Sequence, residues 1–393
     1  MKTQQQQQQQ SAITIEPAIG DRLVEVEPDW LDLVGRADVP NVFMHPMLVK
    51  LAEQSYPGSR SLALLAWHER DGRRQLVGVW AFTISRAPQS ILPVKALTVP
   101  AMAHTATPVI DRSVLDGTLH AMLAHLAGDP DLPKLAALDA FVADGPTMQA
   151  LTRVLAERKS APSVLAKSVR PKLASALDGK QYMERALSSG SRKKLRQHRR
   201  RLAAKGALEF RIASDAEAVR EALEQFLQLE AAGWKGERGS ALLNSGPDTA
   251  FARAMVNGLA ERGEAAIHAL YLDGQPVSMQ IVLRAGPVAF TWKTTYDEKW
   301  RDASPGMLLL EDYTAAFLAD DGIAYVDSCA YDETSFMTAW SERQATATLW
   351  IDCRPGSSIA FIVLTRLQKT YLALRASAKR LYFAAMARRP RRA

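Results

Sequence analysis

The chain has 393 residues, 47% of them apolar and 23% charged, which suits two ordinary domains with real cores and excludes a disordered or collagen-like chain. Two cysteines, Cys329 and Cys353, and seven scattered histidines exclude a disulfide framework and show no metal-ligand spacing, so no metal is expected and the compartment is expected to be reducing and cytoplasmic. A net charge of +7 and a pI of about 9.3 point to anionic partners: nucleic acid, a phosphorylated cofactor or a lipid surface.

Along the chain, MKTQQQQQQQ lacks the apolar core of a secretory signal, and residues 1–19 read as a disordered leader. No run of about 18 apolar residues occurs. Residues 61–86 predict a strand, an Asp71-Gly72 turn and a second strand. Residues 157–175, with two prolines and mixed polarity, fit a segment crossing between two halves. Helical patterns follow at 178–205 and 215–234. The first contains SRKKLRQHRRRLAAKG, residues 191–206, with eight Lys or Arg and no acid between Glu184 and Glu209. Leu195 and Leu202 form its narrow apolar seam. With little aromatic interleaving, this reads first as a solvated basic helix, expected to contribute at most electrostatic attraction to nucleic acid, an anionic polysaccharide or a lipid head group, and no sequence recognition.

Three strands are expected within 265–295, the first two joined at Asp273-Gly274, then a helix opened by Ser304-Pro305-Gly306, then the strand IAYVDSC. From residue 357 a helix carries Val363, Leu367, Tyr371, Leu374, Ala378 and Leu381 on one seam, with Arg388, Arg389, Arg391 and Arg392 beyond it. That seam suits a helical partner or homo-oligomer, and the basic character permits peripheral membrane contact. The order of elements is α+β, and no Gly-rich nucleotide-binding sequence appears. The two hairpins, alike in pattern, suggest two related halves rather than one large sheet.

The start of the Ser304 helix is unusual. Helix N-termini carry unpaired N–H groups and partial positive charge, and they attract Asp or Glu. Here Ser304 is expected as N-cap and Pro305 at N1, followed by Gly306, Met307 and three leucines; the first carboxylate within the helix is Glu311. Lys299 and Arg301 lie just upstream. The end looks left open for an external anion.

Three blocks, FLQLEAAGWKGERGSAL, WKTTYDEKWRDASPGMLLLEDY and VDSCAYDETSFMTAWSER, together resemble the signature blocks of the GNAT acyltransferase superfamily, in the branch that includes CelD-type cellulose-biosynthesis proteins and is related to the Fem peptidyltransferases. The resemblance covers residues 187–349 well and 42–108, with NVFMHPML and HTATPVI, more faintly. It implies two tandem GNAT-like modules, residues 20–161 and 178–353, followed by the C-terminal helix at 357–393. It also implies an acyl-coenzyme A co-substrate, acetyl-coenzyme A in particular, whose pyrophosphate rests on residues 301–307 and whose pantetheine arm runs along strand 289–295. On this reading Trp292, Lys293, Thr294, Arg301, Ser304, Pro305, Gly306 and Met307 bind the donor.

Acyl transfer to an amine needs a base, oxyanion donors and an acid for the thiolate. Glu230, Asp327 and Asp297 are the candidate bases, and Tyr296 and Tyr331 the candidate acids. Trp234, on the helix face of Glu230, reads as a pocket wall, and Lys235 and Asp297 as acceptor-binding residues. A covalent role for Cys329 would need His268 brought to it by the fold. The acceptor could be a small-molecule or glycan amine. A Fem-like, aminoacyl-tRNA-dependent transferase and a non-catalytic nucleic-acid-binding module are the alternatives.

Overall fold

The structure, a computed structural model, describes residues 13–70, 72–330 and 336–387. In the first half Ile13–Ala18 (β1), Arg60–Arg70 (β2) and Arg73–Arg86 (β3) form an antiparallel meander. Lys95–Thr98 (β4) extends it, Val109–Ile110 (β5) pairs with β3, and Leu135–Val142 (β6) lies parallel to β4. Ser163–Leu173 (β7) follows. The second half repeats the plan: Leu208–Ala213 (β8), Ala265–Leu272 (β9), Gln275–Ala285 (β10) and Val288–Tyr296 (β11) run antiparallel, and Tyr325–Asp327 (β12) lies parallel to β11. Glu342–Asp352 (β13) closes the set.

The last strand of each half crosses to the other. β7 follows β6 in sequence but pairs with β12, whereas β13 follows β12 but pairs with β6; β7 and β13 pair with each other between them. The order is β1-β2-β3-β4-β6-β13-β7-β12-β11-β10-β9-β8, one continuous 13-stranded sheet with β5 on the side. The expectation of two halves in place of one sheet is therefore corrected: the halves repeat, and the exchanged strands fuse them. The expected crossing segment, 157–175, contains β7. Its Pro171 falls just past Lys172, where pairing to β12 has stopped, so a proline is compatible with a strand that is central elsewhere.

The helices of the first half are Arg22–Glu25 (α1), Glu27–Arg36 (α2), Pro46–Ser55 (α3), Leu115–Gly128 (α4) and Pro146–Glu157 (α5). Those of the second are Gly179–Ala186 (α6), Ser189–Ala203 (α7), Ala216–Ala232 (α8), Trp234–Glu237 (α9), Gly246–Ala260 (α10) and Pro305–Leu318 (α11), with Ile359–Ala387 (α12) after β13. The predicted helix at 178–205 is two helices, because Leu187 turns extended and Ser188 caps α7 by accepting from the Ser191 amide at 3.1 Å. The predicted leader also ends earlier. Ile13–Ala18 form an edge strand because Ile13 and Ile15 pack on the core; residues 1–12 lie outside the described residues.

One core runs through both halves. Phe43 meets Phe290 with ring centroids 5.6 Å apart, and the Tyr56 hydroxyl donates to Asp248 at 2.8 Å. A second cluster packs α6, α7 and α11 on the far side of the second half. Among the described residues no helix is long and apolar enough to cross a membrane.

Candidate active site

The site begins on β11. Ile281 pairs with Lys293 and Val282 with Thr291, so Trp292 is an extra residue, a bulge that re-aims the strand. On its other side β11 pairs with β12 only over Val288–Phe290. Beyond that point β12 leaves the edge of β11 uncovered, and the chain continues through the helical turn Glu298–Ala303 into α11.

Ser304 joins turn and helix in the left-handed region, at φ 48° and ψ 54°, and its side chain caps nothing. Ser304 therefore holds the expected N-cap position, with Pro305 after it, but supplies no side-chain cap to the first-turn amides. Its carbonyl instead accepts from the Met307 and Leu308 amides at 3.0 and 3.2 Å. Pro305 has no N–H, so the amide of Gly306 is the open donor of the first turn. A methyl group added at Gly306 would meet nothing within 4 Å. Arg301 is exposed and makes no ion pair among the described residues. The carboxylates further along α11 are already engaged, Glu311 and Asp312 accepting from Arg199 of α7 at 2.9 and 2.7 Å.

The opposite wall comes from α8 and α9. On α8, capped by Asp215, the residues Val219, Leu223, Phe226, Leu227 and Glu230 share the buried face. A carboxylate on that face needs partners. Glu230 accepts from the Lys235 ammonium at 2.8 Å and from the Leu242 amide at 2.9 Å, and the same ammonium donates to the Thr294 carbonyl of β11 at 2.8 Å. Lys235 thus ties the helical wall to the strand edge. Trp234, 40% exposed, stands at the opening beside Arg238.

Between these walls lies a cavity of about 350 Å³. Glu230, Trp234, Lys235, Thr294, Tyr296, Arg301, Ser304, Pro305, Gly306 and Met307 all line it, as the sequence suggested, together with Gly233, Thr295 and Phe336, which it did not. All three lie inside the quoted blocks, and Thr295 ends the strand expected to carry the pantetheine arm, but none was singled out as a site residue.

Four predicted site residues are elsewhere. Asp327 is buried and ion-paired with Arg170 of β7, and it accepts from the Cys329 amide at 2.8 Å; a carboxylate at the end of an apolar strand proves to pin the exchanged strand β7 to β12. Asp297 caps the turn by accepting from the Lys299 amide and faces a separate groove with Lys299 and Trp300. Trp292 is core, its indole donating to the Met102 carbonyl at 3.3 Å. Lys293 does not line the cavity; it is half-buried, and burial lowers its ammonium below the usual lysine value. Tyr331 lies outside the described residues. Cys329 is buried, and burial raises its thiol well above the ordinary range, while His268 sits among Phe210, Tyr313 and Phe317. They do not form a nucleophile and base. No group of three or more potential metal ligands occurs among the described residues.

Residues 189–336 match the family described as acetyltransferase (GNAT) domain. The second half of the chain thus carries a GNAT-family domain. The region matched contains both walls of the cavity, so the GNAT domain holds the site built above. Among solved structures the chain is similar to FemX, with 13% identity, 86% of this chain and 96% of that chain covered, and a TM-score of 0.57. It is also similar to a chain named as the C-terminal domain of a lysylphosphatidylglycerol synthetase from Agrobacterium fabrum, with 13% identity, coverage of 89% and 97%, and a TM-score of 0.50. At such identities these likenesses concern the fold, and they extend over both halves of this chain. No curated protein matches the chain.

Proposed function

We propose that this GNAT-type N-acyltransferase takes its acyl group from an acyl-coenzyme A, acetyl-coenzyme A in the simplest case, and passes it directly to an amine. The observation that carries the reading is the junction of an uncovered strand edge with an acid-free helix start whose glycine leaves open space. The residues fit such a donor. The Gly306 amide and Arg301 offer a dipole end and a cation to a pyrophosphate, and the edge of β11 at Thr294–Tyr296, apart from the Thr294 carbonyl that Lys235 holds, offers main-chain groups to an extended arm. When bound, the donor supplies a thioester carbonyl open to nucleophilic attack.

The chain's own residues then have separate tasks. Lys235, fixed by Glu230 and the Thr294 carbonyl, holds the strand edge in place. Tyr296, lining the cavity, is positioned to protonate the departing sulfur. Glu230 has both oxygens engaged, and Asp327 and Asp297 are elsewhere, so no candidate carboxylate is free to act as base. On this reading the amine arrives neutral, and its proton leaves to water at the Trp234 opening as the N–C bond forms and the C–S bond breaks. The acceptor class supported by that opening, apolar on one side and wet on the other, is a small-molecule or glycan amine.

The test is a thiol-release assay with acetyl-coenzyme A across a panel of amines of differing basicity, alongside thermal unfolding with coenzyme A. Expected are a raised unfolding temperature and a pH–rate profile whose rising limb follows the pKa of each amine. A limb at one fixed pH for all amines would assign the proton to an enzymic base. Absence of protection by coenzyme A, with activity from an aminoacyl donor, would favour the Fem-like alternative.

A further inference from the structure

From Ser357 onward the sequence contains nine Lys or Arg and no Asp or Glu. α12 docks by one face only. Phe361 and Thr365 are buried there, and the Gln368 side chain accepts from the Ile91 amide at 2.9 Å and donates to the Gln89 carbonyl at 3.0 Å. After Gln368 no described side chain of α12 is buried.

The face turned away from the body is apolar. Val363, Leu367, Leu374 and Leu381 follow one another at four, seven and seven residues, which places them on one stripe. Their exposures are 50%, 48%, 66% and 71%. On a helical projection Arg366, Lys369 and Arg380 flank the stripe on one side and Arg375 on the other. Apolar side chains this exposed on one stripe, interrupted only by the small Thr370 and Ser377, call for a covering surface.

We propose that this face of α12 rests on an anionic lipid surface, the stripe entering the boundary between headgroups and acyl chains while the flanking cations meet lipid phosphates. Charge decides among the coverings. A second copy would set Arg366, Lys369, Arg375 and Arg380 against the same four, and the helix carries no acid to alternate with them, the opposite of the charges that flank a stable coiled-coil seam. An anionic lipid surface complements the cations, and an amphipathic basic helix with exposed leucines has the composition that lies in an interface. The helix is not apolar enough to span the bilayer. It would therefore attach the protein peripherally, independently of any donor bound in the cavity.

The experiment is flotation of the full-length protein with vesicles of phosphatidylcholine alone and of phosphatidylcholine mixed with phosphatidylglycerol. Expected is binding to the mixed vesicles that weakens with salt, and at least a tenfold loss of binding in Leu374→Asp/Leu381→Asp and in Arg375→Glu/Arg380→Glu. Circular dichroism and unfolding temperature should be unchanged in both, since the altered side chains are exposed. The proposal is overturned if the wild type ignores anionic vesicles or if the leucine variant binds them undiminished. It is equally overturned if ultracentrifugation shows a wild-type dimer that the leucine variant dissolves, which would give the stripe to a second copy.

Discussion

Glu264 is a carboxyl group that the fold holds largely, though not wholly, out of water. Burial pushes it up to about 7, while burial holds His45, 3.6 Å away, down to about 4. The Nδ1 atom of His45 accepts from the Met47 amide at 3.1 Å, so the proton of the neutral ring is on Nε2, facing Glu264. A carboxyl group with a raised folded-state pKa stabilises the fold through its bound proton. That contribution is complete below the unfolded value near 4.5 and is lost as pH rises through about 7. Glu264→Gln keeps the shape without the titration. The unfolding temperature of the wild type should therefore fall relative to the variant between about pH 5 and about pH 8. The histidine titrates in both proteins, so its contribution cancels in the difference. A constant difference across that range would mean that Glu264 reaches water. None of this was legible in the sequence, because the pair joins residues far apart along the chain across the two halves.

At the scale of elements, the hairpins and the Ser304 helix were legible because each carries a local signal: Asp273-Gly274 supplies two left-handed residues for a tight turn, and Pro305 presets the first helical residue. β7 was not, since Pro171 and its mixed polarity argue locally against a central strand, and only β13 and β12 on either side make it one. Asp327 shows the same limit at a single side chain. Its position at the end of an apolar strand correctly implied a partner, but that partner, Arg170, lies on the exchanged strand. Breaking a buried pair by removing one charge costs about 3–5 kcal/mol. Asp327→Ala should lose stability on that order, measured by denaturant unfolding, whereas enzyme that remains folded should keep its turnover. Loss of turnover at full stability would return Asp327 to the chemistry.

For the molecule as a whole, strand exchange and the donor site are connected. Because β13 crosses to the first half and β7 takes its place beside the short β12, β11 keeps an uncovered edge next to the start of α11. The two halves brace that opening through one shared core. The sequence carried the site's chemistry in three blocks, and the fold adds Lys235 as the tie between walls. The central claim is that the open end of α11 receives the pyrophosphate of an acyl-coenzyme A, and Gly306→Asp probes it most directly. The aspartate would enter open space and place a carboxylate at a helix N-terminus, where it is favourable by about 0.3–1 kcal/mol. It would also compete with phosphate for the same amide. Calorimetry of coenzyme A binding to wild type and Gly306→Asp should show affinity lower in the variant by at least about tenfold, or about 1.4 kcal/mol, with unfolding temperature unchanged or raised; equal affinities would contradict the assignment and leave the open helix end a structural feature only.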